Sequence, residues 1–96
     1  KYKLKAIVTG RADRFRKITE EWLGKYNIEY ENLIMFPSER EQERNRDHIQ
    51  EVGKYKAEIY RKFNVAYFME SEKSEGLVIR ELSKKRVILP NQGILL

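Results

Sequence analysis

Apolar and polar positions fall in blocks along this chain, and the period changes from block to block. Residues 4–9, "LKAIVT", carry a nearly continuous apolar run at "AIV", the mark of a strand buried on both faces of a parallel sheet. Gly10 then allows a tight turn. From about Ala12 to Lys25 the period is helical: Phe15, Ile18, Trp22 and Tyr26 recur every three or four residues, with Leu23 beside them. The text "GKYN" ends that helix. "NLIMF", residues 32–36, reads as a second buried strand stopped by Pro37, and Ser38 with Glu41 three residues later predicts a capping box. Residues 39–62 are helical in tendency. The half "EREQERNRDH" is charged nearly all round, whereas Val52, Tyr55, Ile59 and Phe63 share one side of the later half. "NVAYFMES", residues 64–71, is a third strand. Residues 72–83 form a short helix with Leu77, Val78 and Leu82 inward, and "RVILP", residues 86–90, is a fourth strand. The tail "NQGILL" is apolar enough to dock on something.

The order β-α-β-α-β-α-β argues for an α/β domain spanning residues 1–96: a parallel sheet of about four strands flanked by helices. In such sheets ligands bind at the carboxyl ends of the strands. Those ends are Thr9-Gly10-Arg11, Phe36-Pro37-Ser38, Glu70-Ser71-Glu72 and Pro90-Asn91. Thr9 and Gly10 therefore lie where ligands sit, next to a helix N-terminus whose free N–H groups favour anions.

Composition adds limits. The 96 residues suit one small domain, and 41% hydrophobic with 36% charged residues is a globular balance. Twenty Lys and Arg against fifteen Asp and Glu give a formal charge of +5, which leans toward phosphate groups or nucleic acid. With no cysteine, disulfides and cysteine metal sites are excluded. No apolar run approaches the roughly 20 residues of a membrane span, and no signal peptide is visible, so a cytoplasmic protein without membrane contact is expected. The chain opens on Lys1 and enters a strand pattern at once, which suggests a missing upstream segment.

Strand-Thr-Gly-Arg, a later Lys before a strand, and a strand ending in an acid form an ordered set. It resembles the haloacid-dehalogenase-like (HAD) phosphatase superfamily, and in particular uncharacterised HAD domains and the phosphatase domains of polynucleotide kinase-phosphatases. The text "MFPSEREQERNRDHIQEVGKYKAEIY" carries the second likeness. The resemblance implies a Rossmann-like sheet and a Mg²⁺-dependent phosphomonoester hydrolase acting on nucleotides or nucleic-acid 3′-phosphate ends. It implies that Thr9 hydrogen-bonds the phosphoryl group and that Lys56 neutralises its charge, with Lys54 the competitor. Gly10, Arg11 and Lys54 would contact substrate. Glu70 would hold Mg²⁺, helped by Glu72 or Glu75. Lys54 and Lys56, two residues apart, cannot share a helix face, so at most one points to the site.

The departure is as informative. The family carries an Asp-x-Asp motif on its first strand, where the first Asp is the nucleophile and the second the general acid-base. No Asp-x-Asp occurs here; the aspartates are Asp13 and Asp47. That strand also forms the centre of the family's sheet. The chain is therefore expected to be the carboxyl-terminal part of a HAD-like domain, completed by an upstream segment or a second chain, or else a non-catalytic module binding a protein or nucleic acid. His48, the one histidine, reads as a surface residue, and Trp22 as core. Arg40, Arg44 and Arg46 read as pairing with the interleaved Glu39, Glu41 and Glu43.

Overall fold

The computed structural model describes residues 3–96; the expectation attached to Lys1 lies outside them. Contacts divide the chain into two compact units, Lys1–Glu41 and Gln42–Leu96.

The first unit is a βαβ element. Strand β1 (Ile7–Ala12) leads through a 3₁₀ turn (Asp13–Phe15) into helix α1 (Arg16–Lys25), and the chain returns as β2 (Leu33–Phe36). The strands pair in parallel, Ile7 with Leu33, Val8 with Ile34 and Thr9 with Met35; the next pair is Ala12 with Phe36. Gly10 and Arg11 are thus extra residues, a bulge that bends the end of β1. Leu23, Leu33 and Met35 form the core, with Ile7, Phe15, Ile28 and Tyr30 packed on it. The inward position of α1 is Leu23. Ile18, Trp22 and Tyr26, expected in the core, are each more than half exposed. The Ser38 capping box does not form either. Ser38 Oγ donates to Asp13 Oδ1 and accepts the Arg14 N–H, while Arg14 makes a two-pronged bond to Glu41, so the residues after both strands are tied to each other.

The short α2 (Glu41–Arg46) starts at the boundary. In the second unit α3 (His48–Lys62) is capped by Asp47, whose carboxylate accepts the Gln50 N–H. It is followed by β3 (Phe68–Met69), α4 (Lys73–Ser83), β4 (Val87–Leu89) and β5 (Ile94–Leu95). β3 pairs with β4 in parallel, and β5 pairs antiparallel on the other edge of β4. The apolar tail therefore docks as a strand. Tyr60, Ile79, Val87 and Leu89, all fully buried, join Ala57 in the core; each such side chain stabilises the fold by about 1.5–3 kcal/mol.

The inward stripe of α3 is Val52, Gly53, Lys56, Ala57 and Tyr60; Val52 is inward as expected, while Lys56 and Tyr60 take the places expected of Tyr55 and Ile59. Small residues decide this: a Cβ on Gly53 would stand 2.8 Å from Val78 Cβ, so α4 crosses α3 directly over the glycine. α4 likewise turns Glu75, Gly76, Ile79 and Ser83 inward and leaves Leu77 and Leu82 partly exposed. The architecture is mixed α/β with parallel strand pairs, and among the described residues the strands fall into two sheets, β1–β2 and β3–β4–β5.

Candidate functional site

The densest polar chemistry in the interior is an ion triad in the second unit. Lys56 rides the buried stripe of α3, Glu70 follows β3, and Glu75 lies in the first turn of α4. The Lys56 ammonium donates to Glu70 Oε1 and to Glu75 Oε1, each at 2.9 Å. All three residues are 7–8% exposed. Glu70 is set by backbone: its N–H donates to Ile88 O, carrying the β3–β4 ladder one residue past the strand. Its second oxygen accepts the Glu72 N–H at 3.2 Å.

Burial alone would push the Lys56 ammonium toward its neutral form. The hydrogen bonds and negative charges of Glu70 and Glu75 outweigh that, and its pKa stands above the ordinary 10.5. At the exposed start of α3, His48 Nδ1 lies 4.0 Å from Glu75 Oε2.

Of the two competing lysines, Lys56 points inward and Lys54 is exposed. Glu72 is the N-cap of α4, its carboxylate accepting the Ser74 N–H. In the first unit Thr9 Oγ accepts the Arg11 N–H at 3.1 Å, which pins the bulge containing Gly10. The Arg11 guanidinium lies 5.3 Å from the centre of the Phe15 ring. Lys56 and Glu70 are thus brought together with Glu75 in the second unit; Thr9, Gly10 and Arg11 belong to the first unit, at the end of β1.

An ionised carboxylate offers about four acceptor positions, so Glu70 and Glu72 keep lone pairs suited to a hard cation such as Mg²⁺. Among the described residues no group of three or more His, Cys, Asp and Glu is arranged to hold a metal ion, so further oxygen donors would have to join these two.

Two contributors were not singled out in the sequence. Tyr60 donates its hydroxyl to Arg86 O at 2.6 Å, and Lys85 Nζ donates to the carbonyls of Tyr60 and Phe63 at the end of α3. Neither has a local signal, because these three bonds join residues more than 20 positions apart.

A scan against protein-family models finds no match, and no curated protein or solved structure matches the chain. Among the described residues no helix is long and apolar enough to cross a membrane.

Proposed function

We propose that the chain is part of a HAD-like, Mg²⁺-dependent phosphomonoester hydrolase in the cytoplasm, built on a Rossmann-like parallel sheet of about four strands and acting on nucleotides or nucleic-acid 3′-phosphate ends. The observation that carries this reading is the Lys56 ammonium held between Glu70 and Glu75 at the carboxyl end of β3. Transfer of a phosphoryl group needs charged groups fixed in place before the substrate arrives, and in this reading the ammonium acts together with Mg²⁺ taken up by the carboxylate beside it. In this reading Lys56 meets the phosphoryl charge and Thr9 Oγ orients the group. Gly10 lets the backbone approach, and Arg11 and Lys54 add outer positive charge. Glu70, with Glu72 near it, is the carboxylate for Mg²⁺, which when bound supplies charge stabilisation and orientation. The nucleophilic aspartate belongs to an upstream segment or a second chain that completes the centre of the sheet.

The test is hydrolysis of para-nitrophenyl phosphate by the intact protein with Mg²⁺. Turnover should fall on the order of a hundredfold or more in Lys56→Met and in Thr9→Ala. No turnover with Mg²⁺ present overturns the reading.

The absence of an Asp-x-Asp pair from these 96 residues favours a second reading, a HAD-like module that binds a protein or nucleic acid without chemistry. It expects binding and no hydrolysis.

A further inference from the structure

The three-stranded sheet of the second unit has one covered face and one open face. Phe68, Val87, Leu89, Ile94 and Leu96 point into the core. Side chains alternate along a strand, so their neighbours point the other way; Met69 is 63% exposed and Leu95 51%. The register sets Met69, Ile88 and Leu95 in one row across the strands. Continuing the Phe68–Val87 pairing back by one residue sets Tyr67 beside Arg86, both exposed. An aromatic ring, a guanidinium and an apolar row thus share one open sheet face.

The rim next to Tyr67 and Arg86 is strongly basic. There α3 ends in Arg61 and Lys62, and α4 ends near Arg80 and runs into Lys84, Lys85 and Arg86. Lys85 ties the two helix ends together through the carbonyls of Tyr60 and Phe63. Six cations stand against two carboxylates, Glu58 and Glu81, over these stretches. Lys85 already caps α3, and Lys84 pairs loosely with Glu81 at 3.5 Å. Among the described residues, the side chains of Arg61, Lys62, Arg80 and Arg86 make no hydrogen bond or ion pair. Capping and helix-dipole compensation need one or two cations; this rim has several more.

We propose that this open face binds single-stranded nucleic acid: Tyr67 stacks on a base, the Met69–Leu95 row supports its neighbour, and Arg61, Lys62, Lys84 and Arg86 meet the phosphates. A polyanion matches the rim, and a base has the flat apolar face that Tyr67 and the row can cover. A duplex or an acidic protein matches the charge but offers no free base to the ring. Tyr67 and Arg86 lie at the amino ends of β3 and β4, and Glu70, which follows Met69, turns its side chain to the buried Lys56 instead; binding requires neither Mg²⁺ nor the hydrolase reading.

The experiment is fluorescence anisotropy of a fluorescein-labelled oligothymidylate with the full chain, without Mg²⁺, across a salt series. Tyr67→Ala should weaken binding about tenfold, Tyr67→Phe should retain it, and the double variant Arg61→Ala, Arg86→Ala should lower the salt slope by about 1–2. Circular dichroism checks that each variant is folded. No binding at low salt overturns the proposal. So does a duplex of the same length, or polyglutamate, binding as tightly with Tyr67→Ala having no effect.

Discussion

The Nζ atom of Lys56 lies 2.9 Å from Glu70 Oε1 and 2.9 Å from Glu75 Oε1, so one ammonium joins α3, the end of β3 and the start of α4. Removing it strands two carboxylates in the interior. Lys56→Met should cost about 3–5 kcal/mol, and Lys56→Met combined with Glu75→Leu should cost less than Lys56→Met alone, because it removes one of the stranded charges. Urea denaturation of the variants measures both. Equal loss in the single and double variants would contradict this coupling.

The same triad sets an alkaline limit. The folded pKa of Lys56 is raised above 10.5, so its stabilisation is complete below that pH and drains away as pH climbs through the folded value. Tyr60 is also raised, above 10.0, by burial and by the charge of Tyr67, and its contribution is lost in the same direction. Thermal melts should therefore be flat toward pH 10 and fall above it. Lys56→Met should flatten the upper part of the fall, and Tyr60→Phe the part that starts lower.

Two glycines make opposite predictions. Gly53→Ala forces a Cβ against Val78 at 2.8 Å and should destabilise by about 1–3 kcal/mol. At Gly24, within α1, an added Cβ meets nothing within 4 Å; Gly24→Ala should stabilise by about 0.5–1 kcal/mol through helix propensity and a stiffer unfolded chain. Melting temperatures moving the same way in both variants would contradict the helix crossing described above.

Lys84 ends α4 with φ +59°, a left-handed conformation that a side chain disfavours. Lys84→Gly relieves it and should raise stability by about 0.5–1 kcal/mol, read by chemical denaturation.

The alternation of strands and helices was legible because the runs "AIV", "LIM" and "VIL" are bounded by glycine or proline. The faces were less so. Ile18, Trp22 and Tyr26 have helical spacing, yet Leu23 takes the inward place. Periodicity reveals a stripe but not the surface it meets. In α3 the inward residues include Gly53 and Ala57, which carry almost no hydrophobic signal and matter because α4 passes close. Spacing allowed Lys54 or Lys56, not both, to turn inward. The choice of Lys56 and its partners 14 and 19 positions away emerge only on folding. The third strand is shorter than its apolar text because pairing with β4 covers Phe68 and Met69 alone.

The antiparallel turn at the carboxyl end has a practical consequence. Gly93, at φ +63°, swings Ile94 and Leu95 back along β4, and the Leu96 N–H closes on Val87 O at 2.8 Å. This short return acts as a stopper on the hydrogen-bonding border of β4. A version trimmed after Pro90 would bare that border and uncover the core beside Gly76 at once, and self-association should be the first sign of the loss.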